Sequence, residues 1–162
     1  MQTIETKSLK VGQYVNTAHV DSVIRNYKQE RWVHNSERIG KEDSLSAWWS
    51  VEQLEEFIEH AKTHGADGVK FYFGAYDKEH APLAEYADRQ TLVMVATKQK
   101  ENADGSTKNK DIYIATEKGT NIVAYNAGRL CPPFCGQSDD DFNNDEIGVT
   151  LVDQGDKGFV VI

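Results

Sequence analysis

Cys131-Pro132-Pro133-Phe134-Cys135 is the most unusual local chemistry in the chain. Two thiols at this spacing can chelate a metal, close a small-ring disulfide, or act as attacking and resolving cysteines. The spacing departs from C-x-x-C, and Pro132-Pro133 keeps Cys131 from sitting just ahead of a helix whose N-terminus would lower its pKa. Zinc would need two further ligands. The competing reading is a proline-stiffened loop whose cysteines pack as small hydrophobes. His60 and His64 stand one helical turn apart, a spacing that lets two imidazoles share a metal, although the Glu of an H-E-x-x-H motif is missing. Cys131, Cys135, His60 and His64 are therefore the candidate metal ligands, set against two solvated histidines and a structural loop. His19, His34 and His80 join them only through tertiary contacts.

Asp139, Asp140, Asp141, Asn143, Asn144, Asp145 and Glu146 form an acidic run in which Asp141, Asn143 and Asp145 alternate as calcium ligands do. A calcium loop counted from Asp141 needs glycine at position six and a bidentate acid at position twelve. Those positions hold Glu146 and Val152, so the pattern fails. There is no G-x-S-x-G elbow, P-loop or G-x-G-x-x-G, and catalysis has no positive signal. Trp48, Trp49, Tyr72, Tyr76 and Tyr125 are amphipathic aromatics that either line a pocket or pack at the core boundary. Trp48, Tyr72, Tyr76, Asp139, Asp140 and Asp141 are the candidate contacts for a partner or ligand.

The elements that must position these residues centre on 46–76. Ser50 caps a helix over 51–64, Gln53 reaches back to it, and Trp49 with Leu54 forms a hydrophobic staple. A strand-like lead-in puts Trp48 on the side opposite Trp49, so one of the pair is expected buried and the other exposed. Val51, Leu54, Phe57, Ile58 and Ala61 share a face. Gly65 supplies the left-handed stop. Beyond it, Val69, Phe71, Phe73 and Ala75 alternate with Lys70, Tyr72, Gly74 and Tyr76, and the first set is expected to face the helix.

Upstream, Asn16 caps a helix carrying Val20, Val23, Ile24 and Tyr27 that should end near Glu30, with an irregular connection over 31–44. Downstream, Thr91–Thr97 reads as a central strand, and Asp104-Gly105 turns a long hairpin back toward Ile112–Ala115. Ile122–Tyr125 is a short strand. Residues 126–146 lack regular structure over most of their length. A closing hairpin pairs Ile147–Val152 with Phe159–Ile162. The expectation is an α+β fold in one domain over 1–162: two N-terminal helices packed on a largely antiparallel sheet of about five to six strands.

With 162 residues, 39% apolar and 27% charged, the chain has ordinary soluble composition. Eighteen basic against 26 acidic residues give a net charge of −8, which repels phosphate backbones and anionic membranes. Nucleic acid and membrane are thus excluded as partners. No apolar run in the first twenty residues serves as an export signal, so the cytoplasm is expected. Two cysteines make no disulfide framework, and the fold should stand on its hydrophobic core.

Trp48-Trp49-Ser50 before an acidic amphipathic helix, followed by Ala66-Asp67-Gly68-Val69-Lys70-Phe71-Tyr72-Phe73-Gly74-Ala75-Tyr76, resembles a group of small uncharacterised bacterial proteins. In that group an aromatic-Ser helix start, a Gly-hydrophobic-basic-x-Tyr-x-Gly-x-Tyr strand and a late Cys-Pro-Pro segment go together. The likeness covers roughly residues 17 to 135. It implies common descent and brings no activity, cofactor or partner onto any residue.

The functional expectation is a non-catalytic cytoplasmic binding or adaptor domain for a protein or small molecule. The alternative is a metal- or thiol-dependent enzyme using the Cys131/Cys135 loop. The loop over 128–146 is expected to carry the function, with Cys131–Gly136 as an ordered anchor and the acidic half as a partner-facing tip.

Overall fold

The structure is a computed structural model that describes residues 9–135 and 151–161. Asp139, Asp140 and Asp141, and with them the acidic tip, lie outside the described residues.

The first helix starts where expected. The Asn16 side chain accepts the His19 N–H at 2.9 Å, opening α1 (Thr17–Tyr27). It does not stop near Glu30. It passes through a π-helical turn (Lys28–Trp32) into α2 (Val33–Ile39), giving one joined helix of 23 residues. No glycine or proline interrupts 17–39, so no residue there breaks the backbone ladder. Gly40, at φ 72, ends the helix in the left-handed conformation. The irregular connection shrinks to a few residues.

Next come β1 (Ser46–Trp48) and α3 (Val51–Thr63). The capping box at Ser50 forms as expected: Ser50 Oγ accepts the Gln53 N–H at 3.1 Å, and Gln53 Oε1 accepts the Ser50 N–H at 3.2 Å. At the other end the Gly65 N–H reaches the Lys62 carbonyl and the Ala66 N–H the Ala61 carbonyl. This pair of bonds makes a Schellman stop, with Gly65 at φ 81.

The strands fall into several small antiparallel sheets rather than one. The largest joins β2 (Gly68–Ala75), β3 (Gln90–Glu101) and β4 (Thr107–Asp111) in that order. β5 (Tyr113–Thr116) pairs with β6 (Gly119–Ile122), and β7 (Ala124–Tyr125) pairs with β3. β8 (Arg129–Cys131) lies in the stretch expected to be irregular; it pairs with β1, setting Trp48 opposite Arg129. β9 (Leu151–Asp153) and β10 (Phe159–Val161) close the described chain as a hairpin.

The core forms where α3 meets β3: Trp49, Phe57, Ala61, Met94, Ala96 and Val123 are buried together, with Leu54, Val69 and Leu92 packed against them. Trp49 is 9% exposed and Trp48 60%, the split that a strand-like lead-in implies. Of the set expected to face α3, Val69 does so. Phe71 and Phe73 do not become buried; Phe73 is 81% exposed. The reason is geometric. The Gly65 turn feeds α3 straight into β2, so the helix covers the start of the strand, while the later residues of this outer strand run on past it.

Candidate functional site

The register of β2 on β3 decides what its outer edge offers. Gly68 sits opposite Thr97 and Ala75 opposite Gln90, and just beyond the strand the Tyr76 N–H donates to the Arg89 carbonyl. In an antiparallel pair this alternation turns the backbone groups of even-numbered residues toward β3 and those of Phe71, Phe73 and Ala75 outward. No described strand pairs on that side.

A cleft of about 670 Å³ opens there. Asn35, Arg38 and Ile39 of α2 form one wall, Phe73, Gly74, Ala75 and Tyr76 the other. Consecutive residues of a strand cannot share a sheet face, so the cleft looks onto the strand's edge. Asp43, Asp88 and Gln90 complete it. Beside it is an apolar slot of about 290 Å³ under α1, lined by Val23, Ile24, Tyr27, Leu45, Ala47 and Leu92 among others. Phe73 and Gln90 belong to both spaces.

Hydrogen bonds from half-buried side chains tie the joined helix over this site. Tyr27 donates its phenol proton to Gln90 Oε1, Trp32 Nε1 donates to the Asp43 carbonyl at 2.8 Å, and Ser36 Oγ accepts the Asp43 N–H at 2.9 Å. Asp43 is buried, and its Oδ1 accepts the N–H groups of Ser44 and Gln90 at 2.8 and 2.7 Å. Arg89 is also buried and donates to the carbonyls of Glu85 and Glu42. Burial lowers its pKa, and the charges of Asp43 and Glu42 oppose that shift. Burial, reinforced by Asp43, raises the Tyr27 phenol above its ordinary value, so it remains a proton donor to Gln90 at neutral pH. Arg38 and Asp88 are exposed, and neither has an ion-pair partner among the described residues. They leave one positive and one negative charge open to the cleft.

The residues singled out from the sequence are scattered. Tyr76 does line the cleft, but it is buried: its ring stacks on Tyr86 at 6.2 Å and its hydroxyl donates to Asn126 Oδ1 at 2.7 Å. Tyr72 lies on the opposite sheet face from Phe73. Its hydroxyl donates to Asp111 Oδ2 at 2.6 Å, and Lys70 Nζ donates to Oδ1 of the same carboxylate at 2.7 Å. Those bonds, Lys70's first, hold the Asp111 carboxyl below the usual range. Trp48 lines a separate pocket of about 260 Å³ with Arg129, Phe134 and the cysteines.

Cys131 and Cys135 form a disulfide, with Cα atoms 4.7 Å apart. Their sulfurs are bonded to each other, so in this state neither is a thiolate ligand, and the reading of them as free packed thiols is corrected. His60 and His64 meet edge to face at 4.8 Å. Among the described residues no three His, Cys, Asp or Glu side chains gather as a metal site, so the four candidate metal ligands are not brought together.

Tyr27, Arg38, Asp43, Phe73 and Gln90 were not singled out from the sequence. Arg38, Asp43 and Gln90 sit in polar stretches without a motif, and Tyr27 and Phe73 fit apolar periodicities that point to a core.

Among the described residues no helix is long and apolar enough to cross a membrane. Comparison of the chain with protein-family models, with curated proteins and with solved structures finds no match to any of them.

Proposed function

We propose that the chain is a non-catalytic binding domain whose site is the cleft between the joined helix and the edge of β2. The observation that carries this reading is the unpaired edge of β2 forming one wall of a cleft whose opposite wall belongs to a helix with no buried residue. Such a wall adjusts to an occupant at little cost to the core. The polar and apolar halves give the two kinds of contact that ligand sites combine.

A fragment screen by amide NMR tests it. Shifts should cluster at Tyr27, Arg38, Phe73 and Gln90 and disappear in Phe73→Lys. Hits gathered instead at Trp48, Arg129 and Phe134 would overturn this choice of site.

Thiol-dependent chemistry at Cys131 and Cys135 is the second reading, favoured by their disulfide bordering a pocket with the exposed Trp48. We also propose a cytoplasmic location, and the disulfide is the observation against it, since reducing compartments keep such pairs as thiols. Trapping thiols in intact cells before lysis decides that point.

A further inference from the structure

We propose that the Cys131–Cys135 disulfide is a reversible exchange site for a small thiol that carries a carboxylate, with Arg129 receiving the carboxylate beside Trp48. This rests on the thiol reading above, names its substrate class, and is independent of the cleft.

Three observations carry it. First, strand alternation puts Arg129 and Cys131 on one face of the β1–β8 pair, about 7 Å apart along the strand, and the register sets Trp48 opposite Arg129 on that face. All three, with Phe134 and Cys135, line the pocket of about 260 Å³. The half-buried cysteines thus border a space in which a short mercapto acid reaches from sulfur to guanidinium. Second, Arg129 is exposed and has no ion-pair partner among the described residues. On a chain of net charge −8, this cation beside the sulfurs favours approach of an anionic thiol. Third, the cysteines are positioned by contacts that do not pass through sulfur. The Leu45 N–H donates to the Cys131 carbonyl at 2.8 Å, the Phe134 N–H donates to the Leu130 carbonyl at 3.0 Å, and the Phe134 ring meets Tyr86 at 5.7 Å. The bridge joins residues at a sequence separation of 4, and closing so short a loop constrains the unfolded chain little. Opening it leaves β8 in place and the two thiols within reach of re-closure. A pair that small thiols open and close is the kind of disulfide a reducing compartment tolerates.

The exchange is balanced. A thiolate RS⁻ attacks one cysteine sulfur, the bond between the two cysteines breaks as the mixed disulfide forms, and the departing sulfur leaves as a thiolate. A second RS⁻ attacks the R sulfur of the mixed disulfide and releases RSSR. The protons given up by two RSH end on the two cysteine thiols, and RSSR runs the steps backward.

The test treats the whole oxidised protein with 3-mercaptopropionate and, separately, with its uncharged amide, following bridge opening by acid quench and mass spectrometry. Per thiolate, the acid should react about threefold faster, as an exposed ion pair allows. Arg129→Gln should remove that preference and leave the amide rate unchanged, and Arg129→Lys should restore it; a merely structural role for Arg129 would change both rates alike. Dithiodipropionate should re-form the bridge in the reduced protein, and failure to do so overturns the proposal. Equal rates for acid and amide on the native protein also overturn it, but leave the thiol reading standing. If neither thiol opens the bridge until circular dichroism shows the chain unfolding, the disulfide is a structural staple, and the proposal and the thiol reading fall together.

Discussion

α3 and the joined helix of α1 and α2 both begin on a side chain that accepts a backbone N–H three residues on, Ser50 for one and Asn16 for the other. Both carry an apolar stripe at helical spacing. Yet α3 buries Phe57 and Ala61 in the core, whereas no residue of the joined helix is buried. Val23 and Ile24 keep much of their surface exposed over an apolar slot. A few hydrogen bonds, each contributing about 0.5–1.5 kcal/mol net, tie the joined helix to Gln90 and Asp43. One amphipathic helix completes the core, and the other roofs a space. The second should open in local fluctuations that leave the first intact, as a site that admits a ligand requires.

The largest effect expected from this contrast is that of Phe57→Ala, about 3–5 kcal/mol for an aromatic removed from a packed core. Ile24→Ala should cost under about 0.5 kcal/mol, as surface truncations do. Denaturant melts measure both. Comparable losses would mean that the joined helix belongs to the core.

Gly128→Ala comes next. A Cβ there would stand 2.6 Å from the Trp49 ring, which is itself held between α3 and the core cluster. Neither a backbone nor a packed indole yields easily, so overpacking should cost about 1–3 kcal/mol and alter Trp49 fluorescence. A neutral result would show that the indole has room to move, and that the α3 side is less rigid than the contrast requires.

The same contrast explains what was legible in the sequence. The start and stop of α3 are local: Ser50, Gln53 and Gly65 act within a few residues of one another, so spacing alone announces them. The Asp104-Gly105 turn is legible for the same reason, with Gly105 at φ 81, but the strand returning on β3 is Thr107–Asp111, inside the polar run, and not Ile112–Ala115, most of which pairs with β6 instead. The continuation of the joined helix over 31–39 is not legible, because its polar composition is also that of an irregular connection and only tertiary contacts at Trp32 and Ser36 distinguish the two. The site stayed hidden because its parts meet only through tertiary structure. Arg38 and Asp43 come from one end of the chain and Phe73 and Gln90 from the strands. Exposure of Phe73 depends on how far α3 reaches along β2, which alternation cannot tell. The disulfide was one of several open readings of Cys131 and Cys135, since spacing does not fix redox state.

Asp43→Ala probes the attachment of the joined helix. The N–H groups of Ser44 and Gln90 lose their acceptor, at about 1–3 kcal/mol for buried donors left unpaired. Amide exchange should rise over 17–39 and at Gln90, while Phe57 and Ala61 keep their protection. Uniform acceleration across the chain would show that the two helices unfold as one unit.

The smallest expected effect separates the helices most sharply, because the same substitution is made at both starts. Ser50→Ala and Asn16→Ala each delete a side-chain oxygen that accepts a first-turn N–H, a loss of about 1 kcal/mol to the helix concerned. Ser50 also anchors the reciprocal bond from Gln53, and its helix carries core residues, so its loss should lower the global unfolding midpoint. Asn16 caps a helix with no buried residue. Its loss should fray α1, seen as faster exchange at His19 and Val20, and leave the midpoint of the core transition where it was. Equal midpoint shifts in the two variants would mean that the joined helix folds with the core. A cleft roofed by such a helix could not open by itself, and binding beneath it would then require partial unfolding of the whole domain.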